Sequence, residues 1–205
     1  MNADGIIEFF YNIVPGSLFI ILLRQYKIFD AFAFLFLNSS KAPFSLDPAL
    51  AIFTDVALGL FLGFVFQGIT KFARDVFSLN AKITEKIKLD NPKEYSLIVA
   101  EIGLTEEYPT LKVFYLMDSF LRGNHPAFLP THFSSRFAFW ANVLIAISIL
   151  IILRLAIKHT GFDNDNILLV IFGVFSWDMA KRHFSGYYDS ILKSYFMLKG
   201  IKYKK

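Results

Sequence analysis

A stripe of polar and small residues runs along the second long apolar stretch of the chain. Asp55, Gly59, Gly63 and Gln67 follow each other at intervals of four residues, which keeps them on one slowly winding helix face. A carboxylate inside an apolar span costs about 2.5–3.5 kcal/mol on insertion scales, so it usually marks a protein contact or a water path. We predict that this stripe lines an aqueous path and that Asp55 and Gln67 contact permeant ions, Asp55 favouring cations.

Two other interpretations of the same stripe stay open. Gly59 and Gly63 form a small-xxx-small pattern, which lets two helices approach closely. Asp55 and Gln67 would then only hydrogen-bond a neighbouring helix. In the third interpretation, Asp55 lies close to the outer headgroups and contributes little.

The first apolar stretch carries a matching face. Glu8, Asn12 and Gly16 are also spaced by four residues, and Pro15 removes a helical hydrogen bond beside them. A kink of this kind is tolerated in a membrane only where neighbours or water satisfy the freed carbonyl. We therefore include these three residues in the predicted pore lining. Four helices cannot enclose a useful pore alone, so the prediction requires a homo-oligomer, with cyclic symmetry as the natural choice.

A second polar group lies in the stretch 122–136, where two prolines prevent a continuous helix. Arginine forks and free backbone donors suit phosphate groups, so we predict a site for an anionic nucleotide or oligonucleotide. Its predicted residues are Arg122, Asn124, His125, His132 and Arg136. The alternative is an irregular elbow whose polar groups satisfy one another and lipid headgroups. The two histidines have no third ligand at useful spacing, so we predict neither a metal site nor a cofactor.

The elements that position these residues are membrane spans. Crossing a bilayer takes roughly 20 apolar residues, and four stretches qualify by length and polarity: 5–23, 49–70, 137–157 and 164–184. The sequence therefore predicts an all-α polytopic membrane protein. A fifth apolar patch, 28–37, is too short to span and is either interfacial, which we favour, or re-entrant.

The composition agrees with a membrane protein. Hydrophobic residues make up 55% of the 205 residues and charged residues 19%, with 25 phenylalanines and no cysteine. A soluble domain has about 25% charged residues, so a soluble enzyme is disfavoured. The net charge of +4 is too small for a basic nucleic-acid-binding surface, and we expect no readout of duplex DNA.

Four parts of the chain follow from these spans. Residues 1–70 hold spans one and two with the interfacial patch, and residues 71–136 form a helical insert. Residues 137–184 hold spans three and four, and residues 185–205 form a basic amphipathic helix that lies on the membrane or packs against the insert. The insert and tail side carries 16 Lys and Arg and the opposite loops carry 5, so the positive-inside rule places both termini in the cytoplasm.

The organisation resembles that of small membrane effectors of bacterial anti-phage defence systems. The resemblance consists of the four spans, the single insert and the tripeptide Val14-Pro15-Gly16. It implies a homo-oligomer in the bacterial inner membrane that causes ion flux or depolarisation. It also implies regulation by a nucleotide or oligonucleotide, or by the enzyme that produces it.

The leading hypothesis is therefore a regulated homo-oligomeric channel without enzymatic activity. No G-x-S-x-G, H-E-x-x-H or phosphate-loop motif occurs in the sequence. Two alternatives remain: a membrane-embedded lipid-processing enzyme, and a non-catalytic membrane anchor or scaffold for a soluble partner.

Overall fold

The computed structural model describes residues 3–29, 48–105, 107–125, 130–158 and 163–200 of the chain. These residues form seven α-helices and no strand, so the prediction of an all-α fold is confirmed. The helices are α1 (Ala3–Gln25), α2 (Pro48–Val76), α3 (Leu79–Asp90), α4 (Pro92–Ile102), α5 (Thr110–Asn124), α6 (Thr131–Lys158) and α7 (Asn164–Leu198).

Local sequence signals account for several helix ends. Pro92 occupies the first turn of α4, where its missing N–H has no intrahelical acceptor to lose. Gly103 ends that helix in the left-handed region, with φ 76°, which a residue without a Cβ adopts at little cost. α7 runs without a break for 35 residues, so the predicted fourth span and the predicted tail helix form one element.

The chain divides into two compact units. Met1–Lys71 and Ser135–Ala180 form the first, here called the bundle unit. Phe72–Ser134 and Lys181–Lys205 form the second, here called the insert unit.

α1 and α6 run parallel in the bundle unit. The Tyr11 and Phe139 rings lie 5.8 Å apart, and the Tyr26 ring lies 3.8 Å from the Arg154 guanidinium carbon. Residues 11 to 26 therefore lie beside residues 139 to 154 in a constant register. α2 is antiparallel to α1, because its early residue Asp55 meets the last turn of α1.

α7 packs antiparallel to α6 in the same unit. The Trp140 and Phe175 rings lie 5.3 Å apart, and a Cβ atom on Gly173 would lie 3.7 Å from Ile147. The bundle unit is therefore an up-down-up-down arrangement of four helices. Large buried side chains fill its centre: Phe19, Leu23, Phe66, Val143, Ile147 and Leu150.

The outward faces of the bundle unit are apolar. Two stretches of the described helices, Thr54–Val76 and His132–Ile157, are long and apolar enough to cross a membrane, and Ile13–Gln25 is a shorter apolar helix. Contiguous exposed apolar patches usually mark contact with lipid or another protein. Exposed large residues of α2 and α7 include Val56, Phe61, Phe64, Ile69, Leu168, Ile171, Val174 and Phe175.

The predicted interfacial patch lies outside the described residues beyond its first two positions. Those two, Ile28 and Phe29, are buried in the core of the bundle unit.

The insert unit has its own core, formed by α3, α4, α5 and the C-terminal half of α7. Phe114, Met117 and Leu121 recur at helical spacing and form the buried face of α5, whereas Leu111 is half-buried. The Phe114 and Tyr188 rings lie 5.5 Å apart in an edge-to-face contact. The tail segment of α7 thus packs against α5, which was one of the two arrangements predicted for it.

Candidate functional site

Most residues of the predicted pore lining lie on the α1–α2 contact of the bundle unit. Gly16, Gly59 and Gly63 are buried there, and Gln67 is half-buried on α2. Glu8 and Asn12 occupy α1, but their side chains lie outside the described residues.

The three glycines bring the two helix backbones together. A Cβ atom on Gly16 would lie 2.7 Å from the carbonyl carbon of Gly59 and 2.9 Å from the amide nitrogen of Gly63. A Cβ atom on Gly59 would lie 3.0 Å from the amide nitrogen of Ser17. Small residues have this packing role between membrane helices, where little hydrophobic force is available to drive association. Within one protomer, the glycines therefore face a helix rather than a water-filled space.

Asp55 forms an ion pair with Arg24. The Arg24 Nη2 atom donates to Asp55 Oδ1 at 2.7 Å, and the Arg24 guanidinium lies 4.9 Å from the centroid of the Phe29 ring. Asp55 is therefore not the unpaired carboxylate that a cation-attracting ring requires. Asp55 lies beside the last turn of α1, close to one end of the bundle unit. The pair is partly exposed, with 30% of the Asp55 side chain and 42% of the Arg24 side chain accessible.

A second arginine at this end is almost fully buried. The Arg154 side chain is 2% exposed, and its Nη2 atom donates to Asp163 Oδ2 at 2.8 Å. Its Nη1 atom lies 3.5 Å from Asp165 Oδ2, and its guanidinium stacks on the Tyr26 ring. The guanidinium thus connects the last turn of α6, the start of α7 and the turn after α1. Such a buried cation is tolerated only because carboxylates and hydrogen bonds surround it.

Asp163 also caps α7. The backbone N–H of Asn166 donates to Asp163 Oδ1 at 2.8 Å, which satisfies one of the free donors at the helix start. This hydrogen bond, aided by the charge of Arg154, lowers the pKa of Asp163. This cluster was not among the predicted sites. Its sequence pattern is an arginine near the end of one apolar helix and an Asp-x-Asp motif at the start of the next.

The predicted anion-binding residues of the insert unit are held by neighbours. Arg122 Nε donates to Asp118 Oδ2 at 2.8 Å, and Arg122 Nη2 donates to the Tyr187 hydroxyl at 3.1 Å. Tyr187 in turn donates to Asp118 Oδ1 at 3.0 Å. The three side chains form a closed hydrogen-bonded triangle that joins α5 to α7.

The triangle changes the acid–base chemistry of its members. The hydrogen bond from Arg122 to Asp118 raises the pKa of Arg122. Burial, with the nearby Asp118 carboxylate, raises the pKa of Tyr187 to about 12. The Tyr187 hydroxyl therefore keeps its proton to a higher pH than a free tyrosine does. The Arg122 side chain remains 56% exposed, so part of its guanidinium group is accessible to solvent.

Three of the other predicted ligand residues contact neighbours close to them in sequence. Asn124 donates from its side chain to the Phe120 carbonyl at 3.1 Å, and the His125 ring lies 5.7 Å from the Phe120 ring. His132 is exposed beside Phe133. Arg136 is exposed as well and belongs to the bundle unit. Residues 126–129, which join these two groups, lie outside the described residues. Among the residues that the structure describes, no three His, Asp or Glu side chains are placed to hold a metal ion.

Gly16→Ala is expected to destabilise the bundle unit by about 1–3 kcal/mol, because the new methyl group meets backbone rather than a side chain that can move. Thermal unfolding of the purified protein in detergent measures the effect. Gly68→Ala is the matched control on α2, since a Cβ atom there would meet nothing within 4 Å. Equal stability of the two variants would contradict the close α1–α2 contact.

Tyr187→Phe is expected to lower the stability of the protein by about 1 kcal/mol, because two hydrogen bonds of the triangle are lost. A raised tyrosine pKa stabilises the folded state below pH 10, and this contribution disappears as the pH rises from 10 to about 12. An ultraviolet titration of tyrosinate should therefore lose one late-titrating group in the variant. Tyr115→Phe, which alters an exposed ring, is the control for stability. An unchanged titration curve for Tyr187→Phe would refute the assignment.

No protein-family model, curated protein or solved structure matches this chain.

Proposed function

We propose that this chain is a multi-pass membrane protein in which the bundle unit is a four-span anchor and the insert unit is a non-catalytic docking module for a soluble partner. One observation carries the proposal. Gly16, Gly59 and Gly63 are buried where α1 packs against α2 within the protomer. The large side chains that are exposed on α2 and α7 are apolar. A lipid-facing anchor has this distribution of residues.

The register of the helices supports four spans. α6 contains a stretch long enough to cross a membrane, and α1 lies beside it over residues 11 to 26. α7 follows α6 in the opposite direction from Asp165 to Phe175. Helices packed side by side in this way share one depth in the bilayer. α1 has a shorter apolar stretch and α7 a less apolar sequence, but both lie in the membrane because they pack against α6.

The distribution of charge supports a cytosolic insert unit. The insert and tail side of the chain carries 16 of the 21 Lys and Arg residues. Basic residues in short loops favour the cytoplasmic face, which in a bacterium is the inner face of the plasma membrane.

The surface of the insert unit supports docking. Tyr115 and Leu116 are adjacent and exposed on α5, and Leu89 and Met197 are exposed on α3 and α7. Exposed aromatic and methionine side chains are enriched at protein interfaces.

The homo-oligomeric channel remains a second candidate because the Arg24–Asp55 pair reaches the surface of the bundle unit. In this proposal several copies enclose the ion path, with Asp55 at its mouth, and an anionic nucleotide or oligonucleotide at Arg122 regulates it. Planar-bilayer recordings separate the two candidates. The anchor gives no conductance above protein-free membranes, whereas the channel conducts and its cation preference falls in Asp55→Asn.

Cysteine labelling tests the anchor and its orientation, because the chain has no cysteine of its own. Gln25→Cys and Ser119→Cys each introduce one thiol at an exposed position. On intact cells, a membrane-impermeant maleimide should label Gln25→Cys and leave Ser119→Cys unlabelled, and disrupted cells should label both. Labelling of Ser119→Cys on intact cells, or release of the protein by alkaline carbonate, would contradict the proposal.

A further inference from the structure

One side of α5 is left uncovered by the rest of the insert unit. The exposed residues between Lys112 and Gly123, here called the α5 face, are Lys112, Tyr115, Leu116, Ser119, Arg122 and Gly123. At 3.6 residues per turn they fall within an arc of about 120°, and at 1.5 Å per residue the face is about 15 Å long. All six belong to the insert unit, and Gly123 is the closest in sequence to the bundle unit, which resumes at Ser135.

The centre of the α5 face is apolar. The Tyr115 side chain is 51% exposed and the Leu116 side chain 45% exposed. Ser119 and Gly123 continue the same side of the helix over the next two turns, and a Cβ atom on Gly123 would meet nothing within 4 Å. Large side chains followed by small ones leave room for a second helix to approach closely.

Two cations of α5 lie at the rim of this face. Lys112 is exposed at its start, with its ammonium 6.0 Å from the centroid of the Tyr108 ring. Arg122 lies near the other end, on the side of Tyr115. Its Nε and Nη2 atoms donate to Asp118 and Tyr187, whereas its Nη1 atom donates to no group in the described part of the chain. That atom is therefore available to an acceptor from outside.

A third cation comes from the end of α7. Phe120 follows Leu116 by one turn, so it borders the α5 face on the side opposite Arg122. The Lys199 ammonium lies 4.8 Å from the centroid of the Phe120 ring and 5.9 Å from that of Tyr195. Lys199 is exposed, and it makes no ion pair with any carboxylate that the structure describes.

The carboxylates nearby do not cancel these charges. Asp118 is 19% exposed and is held by Arg122 and Tyr187. Glu101 belongs to α4 and acts on α7, because burial and then the charge of Glu101 raise the pKa of Tyr195. The α5 face therefore has an apolar centre and a positive rim.

We propose that the α5 face binds an acidic amphipathic helix of the soluble partner. The proposal rests on the docking role proposed for the insert unit and names the chemistry of its partner. Apolar side chains of the partner, spaced by three and four residues, would pack on Tyr115 and Leu116. Aspartate or glutamate side chains beside them would meet Lys112, Arg122 Nη1 and Lys199. A length of about 15 Å accommodates roughly three turns of helix.

A lipid surface fits this face less well. A helix that lies on a membrane inserts a large apolar face between the headgroups. The large apolar residues of α5, including Phe114, Met117 and Leu121, are already buried in the core of the insert unit. Apolar side chains at the centre with charges at the rim are instead the usual pattern of a protein interface.

Fluorescence anisotropy with the full-length protein in phosphatidylcholine nanodiscs tests the proposal. The probe is a labelled helical peptide with leucines spaced by three and four residues and glutamates beside them. A second peptide has lysine in place of every glutamate. The acidic peptide should bind about tenfold or more tightly than the basic one, because its charges complement the rim. Added salt should weaken its binding, since exposed charges are screened.

Variants locate the binding surface. Tyr115→Ala combined with Leu116→Ala should weaken binding of the acidic peptide by about tenfold or more, because the apolar centre is lost. Lys112→Gln combined with Lys199→Gln should weaken it by roughly threefold or more. Lys112→Arg combined with Lys199→Arg should retain it, which separates loss of charge from loss of structure.

Matched controls lie on α3 of the same unit. Leu89→Ala removes another exposed apolar side chain, and Lys82→Gln combined with Lys86→Gln makes the same change in net charge. Both should bind the acidic peptide as wild type does. Equal binding of the two peptides to wild type, or an equal loss of binding in the α3 variants, would overturn the proposal.

Two further outcomes assign the surface differently. If phosphatidylglycerol in the nanodisc abolishes binding of the acidic peptide, the α5 face lies on lipid headgroups and the partner helix is wrong. If the peptide binds but ignores the α5 variants, docking occurs elsewhere on the insert unit, so the docking role stands and the α5 assignment fails. Conductance in planar bilayers, by contrast, would contradict the proposed anchor without changing the peptide result.

Discussion

The close approach of α1 and α2 determines much of the bundle unit. At Gly16 and Gly59 the two helices are separated by less space than a methyl group needs. Eight residues separate Gly16 from Arg24, and eight separate Gly63 from Asp55. Antiparallel helices that meet at the glycines therefore bring the two charges to the same level. The ion pair and the backbone contact are two consequences of one helix register.

The contact explains why the polar stripe of α2 can be present without a pore. A carboxylate near the end of an apolar helix is costly only when it lacks a partner, and Arg24 supplies one at 2.7 Å. Glycines spaced by four residues are compatible with a pore lining, but they are equally compatible with close packing of a second helix. Spacing by four residues is the same in both cases, so the periodicity alone could not separate them.

The sequence was informative where a local rule determines the structure. The Asn91-Pro92 pair marks the start of α4, and the apolar residues at helical spacing in α5, Phe114, Met117 and Leu121, are the buried ones. It was uninformative where a residue depends on a distant partner. The carboxylates that pair with Arg154 lie beyond the next turn of the chain, and hydropathy does not reveal such pairings.

The bundle unit depends most on a dry contact between α1 and α2 at Gly16, Ser17 and Gly59. Ser17→Cys tests this most directly, because Ser17 contacts Gly59 and the substitution is nearly isosteric. In reconstituted bilayers, we predict that a small charged thiosulfonate leaves this thiol unmodified until the protein is denatured. Rapid modification of the folded protein would show water between α1 and α2, and would contradict the account.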